Sequence, residues 1–144
     1  MADVPSAIAY GNGAQGQATY ATGTSTAVWA YSPWDSTTVT VAAGGNAGTG
    51  PVAPTAGASS TLYRGSVQFG SGTTPSAGSQ VTVTFSATLP SVPFIVISPT
   101  TTASGTINPY VLSASTTGFV IGSGVAPTSA QAGTIYGVNW LMSL

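Results

Sequence analysis

The sequence predicts an all-β chain: a small antiparallel β-sandwich preceded by an extended Gly/Ala/Thr-rich N-terminal region. Three observations carry this. Val81, Val83 and Phe85 alternate with Thr82, Thr84 and Ser86, the period-two pattern of a strand with one apolar and one hydroxyl-bearing face. Pro90, Ser91 and Pro93 then interrupt the ladder, because proline has no N–H to donate. The apolar run at 94–97 that follows is too short for a helix and reads as a buried strand. Finally, helix caps followed by long apolar runs of period 3.6 are nearly absent.

Taken in order, residues 1–60 are poor in bulky aliphatics. Residues 11–17, with three glycines and Asn12, read as a loop. Residues 19–31 hold Tyr20, Val28, Trp29 and Tyr31 among Thr and Ala, enough for one or two short strands, and residues 32–35 form a turn. Residues 37–42 read as a strand from their β-branched content. Residues 43–60, punctuated by Gly44, Gly45, Gly48, Gly50, Pro51, Pro54 and Gly57, leave three readings open: an arm lying on a neighbour, a flexible linker, or a loop internal to the domain. The expected division is therefore an attachment or oligomerisation arm with short strands over 1–60 and a sandwich over 61–144.

Strand character resumes at 61–69 through Leu62, Tyr63, Val67 and Phe69, and residues 70–79 form a turn-rich connection. After the strand pair at 81–97, residues 100–109 read as a loop, 110–113 as a strand, and 116–118 as a turn into 119–121, where Phe119 and Ile121 share a face. A second loop spans 122–133. In the terminal strand Val138, Trp140 and Met142 share one face, Asn139 and Leu141 the other. So apolar a strand belongs at the centre of a sheet or under cover, because an exposed copy invites aggregation. Trp140 is accordingly a core residue.

Composition narrows function. Of 144 residues only Asp3, Asp35 and Arg64 carry formal charge, with no histidine or cysteine. One arginine supplies no basic patch for nucleic acid. Two carboxylates supply no calcium cage, and lack of Cys and His removes zinc and Fe–S ligation. No cofactor is expected. Serines are plentiful but lack a usual base, and paired-acid glycoside chemistry requires Asp3 and Asp35 to meet. Gly11-Asn12-Gly13 and Gly48-Thr49-Gly50 lack the strand–turn–helix setting of a phosphate loop. The N-terminal residues have neither a basic region nor a long apolar run and are not expected to act as an export signal. No apolar run is long enough to span a membrane. Such an uncharged surface suits a protein packed inside an assembly.

Candidate interface residues are Trp29, Tyr31 and Trp34, large aromatics clustered among small residues, together with Arg64, whose expected partner is Asp35 or a carboxylate on another protein. The aromatic cluster fits subunit contact, a local core or a sugar-stacking platform. Trp34, Tyr110 and Tyr136 are the candidate glycan contacts.

Residues 65–144 hold three phrases in a recognisable order: 81–85 running into 90–97, then 116–121, then 137–141. In this they resemble the small β-sandwich of H-type-lectin-like modules found in bacteriophage tail, fibre and other virion proteins. The resemblance implies trimeric assembly and, in the lectin members, glycan binding at the trimer rim. The terminal strand departs from the lectin pattern in lacking the charged and His residues of sugar sites. Residues 1–60 look like the attachment portion of a phage structural protein. The implied function is that of a non-enzymatic virion structural protein, foremost a capsid decoration protein, with a glycan-binding tail or fibre tip as the alternative. Implied partners are the chain itself as a homotrimer, a major capsid or tail protein and a host-surface glycan, without nucleic acid or membrane insertion. The implied location is the capsid surface or tail of a virion assembled in the host cytoplasm.

Overall fold

The computed structural model describes residues 18–22, 25–29, 38–128 and 134–144, the first two segments by backbone alone. The chain divides into two units, Met1–Asp35 and Ser36–Leu144. In the first, β1 (Ala18–Thr22) and β2 (Ser25–Trp29) form an antiparallel pair with Ala18 opposite Trp29.

The second unit holds β3 (Val39–Ala43), β4 (Val52–Ala56), β5 (Arg64–Gly70), β6 (Gly78–Phe85), β7 (Phe94–Pro99), α1 (Thr102–Thr106), β8 (Pro109–Ser115), β9 (Gly118–Ser123) and β10 (Tyr136–Ser143). They form two four-stranded antiparallel sheets, ordered β4-β5-β10-β7 and β3-β6-β9-β8. The all-β, two-sheet expectation holds for this unit.

Alternation decides what each sheet buries. Val81, Val83 and Phe85 point inward on β6, opposite Ile121 and Phe119 of β9. From the other sheet Val67, Phe69, Val138, Trp140 and Met142 meet them in one core. Phe119 links the sheets: its ring lies 6.0 Å from Phe85 and 5.7 Å from Trp140, edge-on to the indole. Trp140 fits because its cross-strand partner is Gly65, where a Cβ would overlap the indole ring. β10 is central, between β5 and β7, as its apolar content requires.

Four expectations need correction. The boundary expected between residues 60 and 61 falls instead between Asp35 and Ser36. Residues 43–60 lie within the second unit: β4 pairs with β5, and Pro54 is tolerated because β4 is an edge. The turn before β4 is tied to β6, with Gly44 N–H donating to the Gln80 carbonyl (2.8 Å) and Ser79 N–H to Asn46 Oδ1 (3.1 Å). Second, residues 61–63 turn instead of extending, Thr61 N–H donating to the Arg64 carbonyl at 2.7 Å. Third, the 100–109 loop contains the single helical turn α1, capped by the Thr101 hydroxyl accepting from Ser104 N–H at 3.1 Å. Fourth, the apolar run at 94–97 is not buried on both faces. It forms most of the edge strand β7, with Phe94 72% and Val96 52% exposed and only Ile95 and Ile97 against the core.

Candidate functional site

The outer face of the β4-β5-β10-β7 sheet carries the side chains that the core rejects. Strand register sorts them into rows. Arg64 lies opposite Leu141, which lies opposite Val96. One row along, Ser66 lies opposite Asn139, and Asn139 opposite Ser98. The first row is aliphatic with a cation at its β5 end; the second is hydroxyl, amide, hydroxyl.

The 57–60 turn stands beside these rows and converts a flat face into a groove of about 620 Å³. Its position is fixed by hydrogen bonds to β5. Gly57 N–H donates to the Ser66 carbonyl (2.9 Å), and Ser60 N–H closes the turn on the Gly57 carbonyl (2.9 Å). The Ser60 hydroxyl accepts from Ser66 N–H (3.1 Å) and donates to its carbonyl (3.2 Å), so one side chain does what a neighbouring strand would do. A Cβ on Gly57 would meet the Ser66 hydroxyl, which would have to turn aside.

The groove is lined by Arg64, Ser66, Val96, Ser98, Asn139 and Leu141 with the 57–60 turn. Leu141 is 65% exposed, too apolar a surface to leave facing water without a cost. The polar lining supplies guanidinium and amide donors, an amide acceptor and hydroxyls that act as either. Among the described residues no carboxylate, imidazole or thiol side chain lines it, and what the lining offers is hydrogen bonds, aliphatic contact and the Arg64 guanidinium.

The buried Ser104 and Ser71 hydroxyls serve the fold. Ser104 Oγ accepts from Gly137 N–H at 2.6 Å and shares a hydrogen bond with Thr101 Oγ1, pinning α1 to β10. Ser71 Oγ donates to the Thr128 carbonyl, and Thr128 N–H donates to Tyr136 Oη at 2.8 Å.

Among the described residues, the expected site residues Arg64, Tyr110 and Tyr136 do not come together. Arg64 lines the groove. Tyr110 is exposed on β8 of the other sheet, its ring over Gly122. Tyr136, expected at a rim as a glycan contact, is 1% exposed, with its ring 5.5 Å from Phe69 and its hydroxyl engaged by Thr128. Burial denies that ring to a ligand. Tyr31, Trp34, Asp3 and Asp35 lie outside the described residues, and Trp29 is described only by its register at the end of β2. Sequence reasoning assigned no role to Asn139, Leu141, Val96, Ser66 or Ser98. The available signal was an outward leucine on a strand whose other face is fully apolar. Comparison with family models, curated proteins and solved structures finds no match to this chain.

Proposed function

We propose that this chain is a non-enzymatic structural protein of a bacteriophage particle, a capsid decoration protein that coats or stabilises the shell. The observation that carries the reading is the exposed apolar patch of Phe94, Val96 and Leu141 on a sheet face that carries the Arg64 cation at its β5 end. Such a patch favours a permanent protein neighbour over solvent. With three formal charges in 144 residues, docking desolvates almost no charge. The phage assignment comes from the resemblance of residues 65–144 to virion β-sandwich modules. In this reading the chain assembles with itself in the three-fold order those modules use, and Trp29, Tyr31 and Trp34 contact a neighbour or the shell.

Mass spectrometry of purified particles tests it. The expected result is the polypeptide in hundreds of copies per particle; a handful of copies points to the tail, and absence refutes the reading.

A second reading, a glycan-binding module at a tail or fibre tip, is favoured by the groove itself. Asn139 flanked by Ser66 and Ser98 offers alternating donors and acceptors, and Leu141 offers an apolar floor. A glycan array on the native protein discriminates: saturable binding lost in Asn139→Ala supports it, and silence across bacterial surface polysaccharides removes it.

A further inference from the structure

The four edge strands of the sandwich are not guarded alike. β4 carries Pro54 and a register shift between Val52 and Thr55. β8 opens on Pro109 and shifts register between Val111 and Ser113. β3 also pairs in unbroken register without proline or charge, but it is one residue shorter than β7 and ends in two alanines, so it presents less apolar side chain. In β7, residues 94–98 hold no proline and no charge and pair with β10 in unbroken register. Proteins normally blunt a flat apolar edge with charge, proline or a bulge, because its unpaired N–H and C=O groups template another strand. Among the described residues no strand is hydrogen-bonded to the outer edge of β7.

We propose that this edge pairs antiparallel with β7 of a second copy, joining two four-stranded sheets into one. A two-fold axis through the junction keeps outward side chains outward, so each residue faces one of its own parity. Centring on Val96 sets Val96 against the partner's Val96, Ile95 against the partner's Ile97, and Phe94 against the partner's Ser98. Centring on Ile97 instead brings Pro99, which has no N–H, into the ladder.

The occupant follows from charge and side-chain placement. Leu141 lies opposite Val96, so the pairing runs one apolar stripe from Leu141 through Val96 and the partner's Val96 to the partner's Leu141. Arg64 lies opposite Leu141 on β5. The two arginines therefore end the stripe five strand spacings apart, roughly 24 Å at the usual inter-strand distance. That exceeds the screening length of about 8 Å at physiological salt. A second copy meets the edge with no opposed charge, whereas an acidic or basic strand finds no counter-charge on β7. The pairing is independent of the particle reading and holds or fails by itself. Being two-fold, it doubles whatever assembly the chain otherwise forms.

The full chain lacks cysteine, so single engineered cysteines report the junction. Native mass spectrometry at micromolar concentration should show even-numbered oligomers: dimers, or hexamers where a three-fold ring also forms. Under mild oxidation Val96→Cys should link two copies at least about tenfold faster than Leu112→Cys on the guarded β8 edge, through the higher effective concentration at the junction. Val96→Lys, which places like charges at the two-fold axis, should halve the native mass and leave the near-ultraviolet circular dichroism of the aromatic core unchanged. Should that variant not fold, the cysteine pair decides. Only monomers or odd-numbered oligomers, or equal linking of the two cysteine variants, overturns the proposal.

Discussion

β7 and β10 are neighbours in one sheet and are both built from uncharged, mostly apolar residues, yet they meet opposite fates. β10 has β5 and β7 on its flanks and the second sheet beneath, and its alternation assigns Val138, Trp140 and Met142 inward and Asn139 and Leu141 outward. Among the described residues β7 has a hydrogen-bonded strand on one flank only, and its unbroken Phe-Ile-Val-Ile run exposes every second residue. Alternation encodes a strand with one covered face. A continuous apolar run encodes cover on both, and the described residues provide it on one. The difference teaches that alternation and a continuous apolar run ask for different cover, and that the apolar surplus of β7 is what the proposed pairing would use.

That contrast breaks most readily at its strongest point. Trp140→Ala should lower stability by about 3–5 kcal/mol, the usual loss for a fully buried large aromatic, read as a reduced urea midpoint. Leu141→Ala, one residue on and facing outward, should change it by less than about 0.5 kcal/mol. Similar losses at the two positions would erase the two-faced account of β10.

A smaller effect is expected at Gly65. Gly65→Ala drives a Cβ into the Trp140 ring. It should cost about 1–3 kcal/mol as an overpacked core does and alter the near-ultraviolet circular dichroism. An unchanged spectrum with full stability would mean that the indole sits elsewhere.

Ser104→Ala removes the acceptor of Gly137 N–H and should cost about 1–3 kcal/mol, the range for stranding a buried donor. Hydrogen exchange at the start of β10 should quicken accordingly. Unchanged exchange there would show that α1 does not secure this strand.

The smallest change is expected on β7 itself. Val96→Thr should leave the sandwich's own stability within about 0.5 kcal/mol, because Val96 faces out. A loss of several kcal/mol in the dilute protein would show the outer face of β7 to be covered within the single chain.

Much of this architecture is legible in local pattern. The inward sets on β6 and β10 follow from period-two alternation, and the central place of β10 follows from its apolar content. What local pattern does not carry is partnership across the sheet. The edge position of β7 depends on whether anything pairs beyond it, and 94–97 reads the same either way. β4 is hidden by Pro54 and flanking glycines, which read as a loop until the pairing with β5 shows an edge that tolerates proline. Tyr136 looks like a rim residue until Phe69 is brought against it. The groove is least legible of all, because its two rows each draw one residue from three strands distant in sequence, and only their register aligns them.

The proposed role is that of a particle component whose apolar outer face docks on a protein neighbour. It is tested most directly by adding the full-length protein to purified phage particles that lack it and quantifying what is retained after sedimentation. The account predicts saturable retention at a fixed ratio to the major capsid protein, reduced when Leu141 is replaced by lysine. Retention no greater than that of an unrelated protein of similar size, or retention that never saturates, would contradict it.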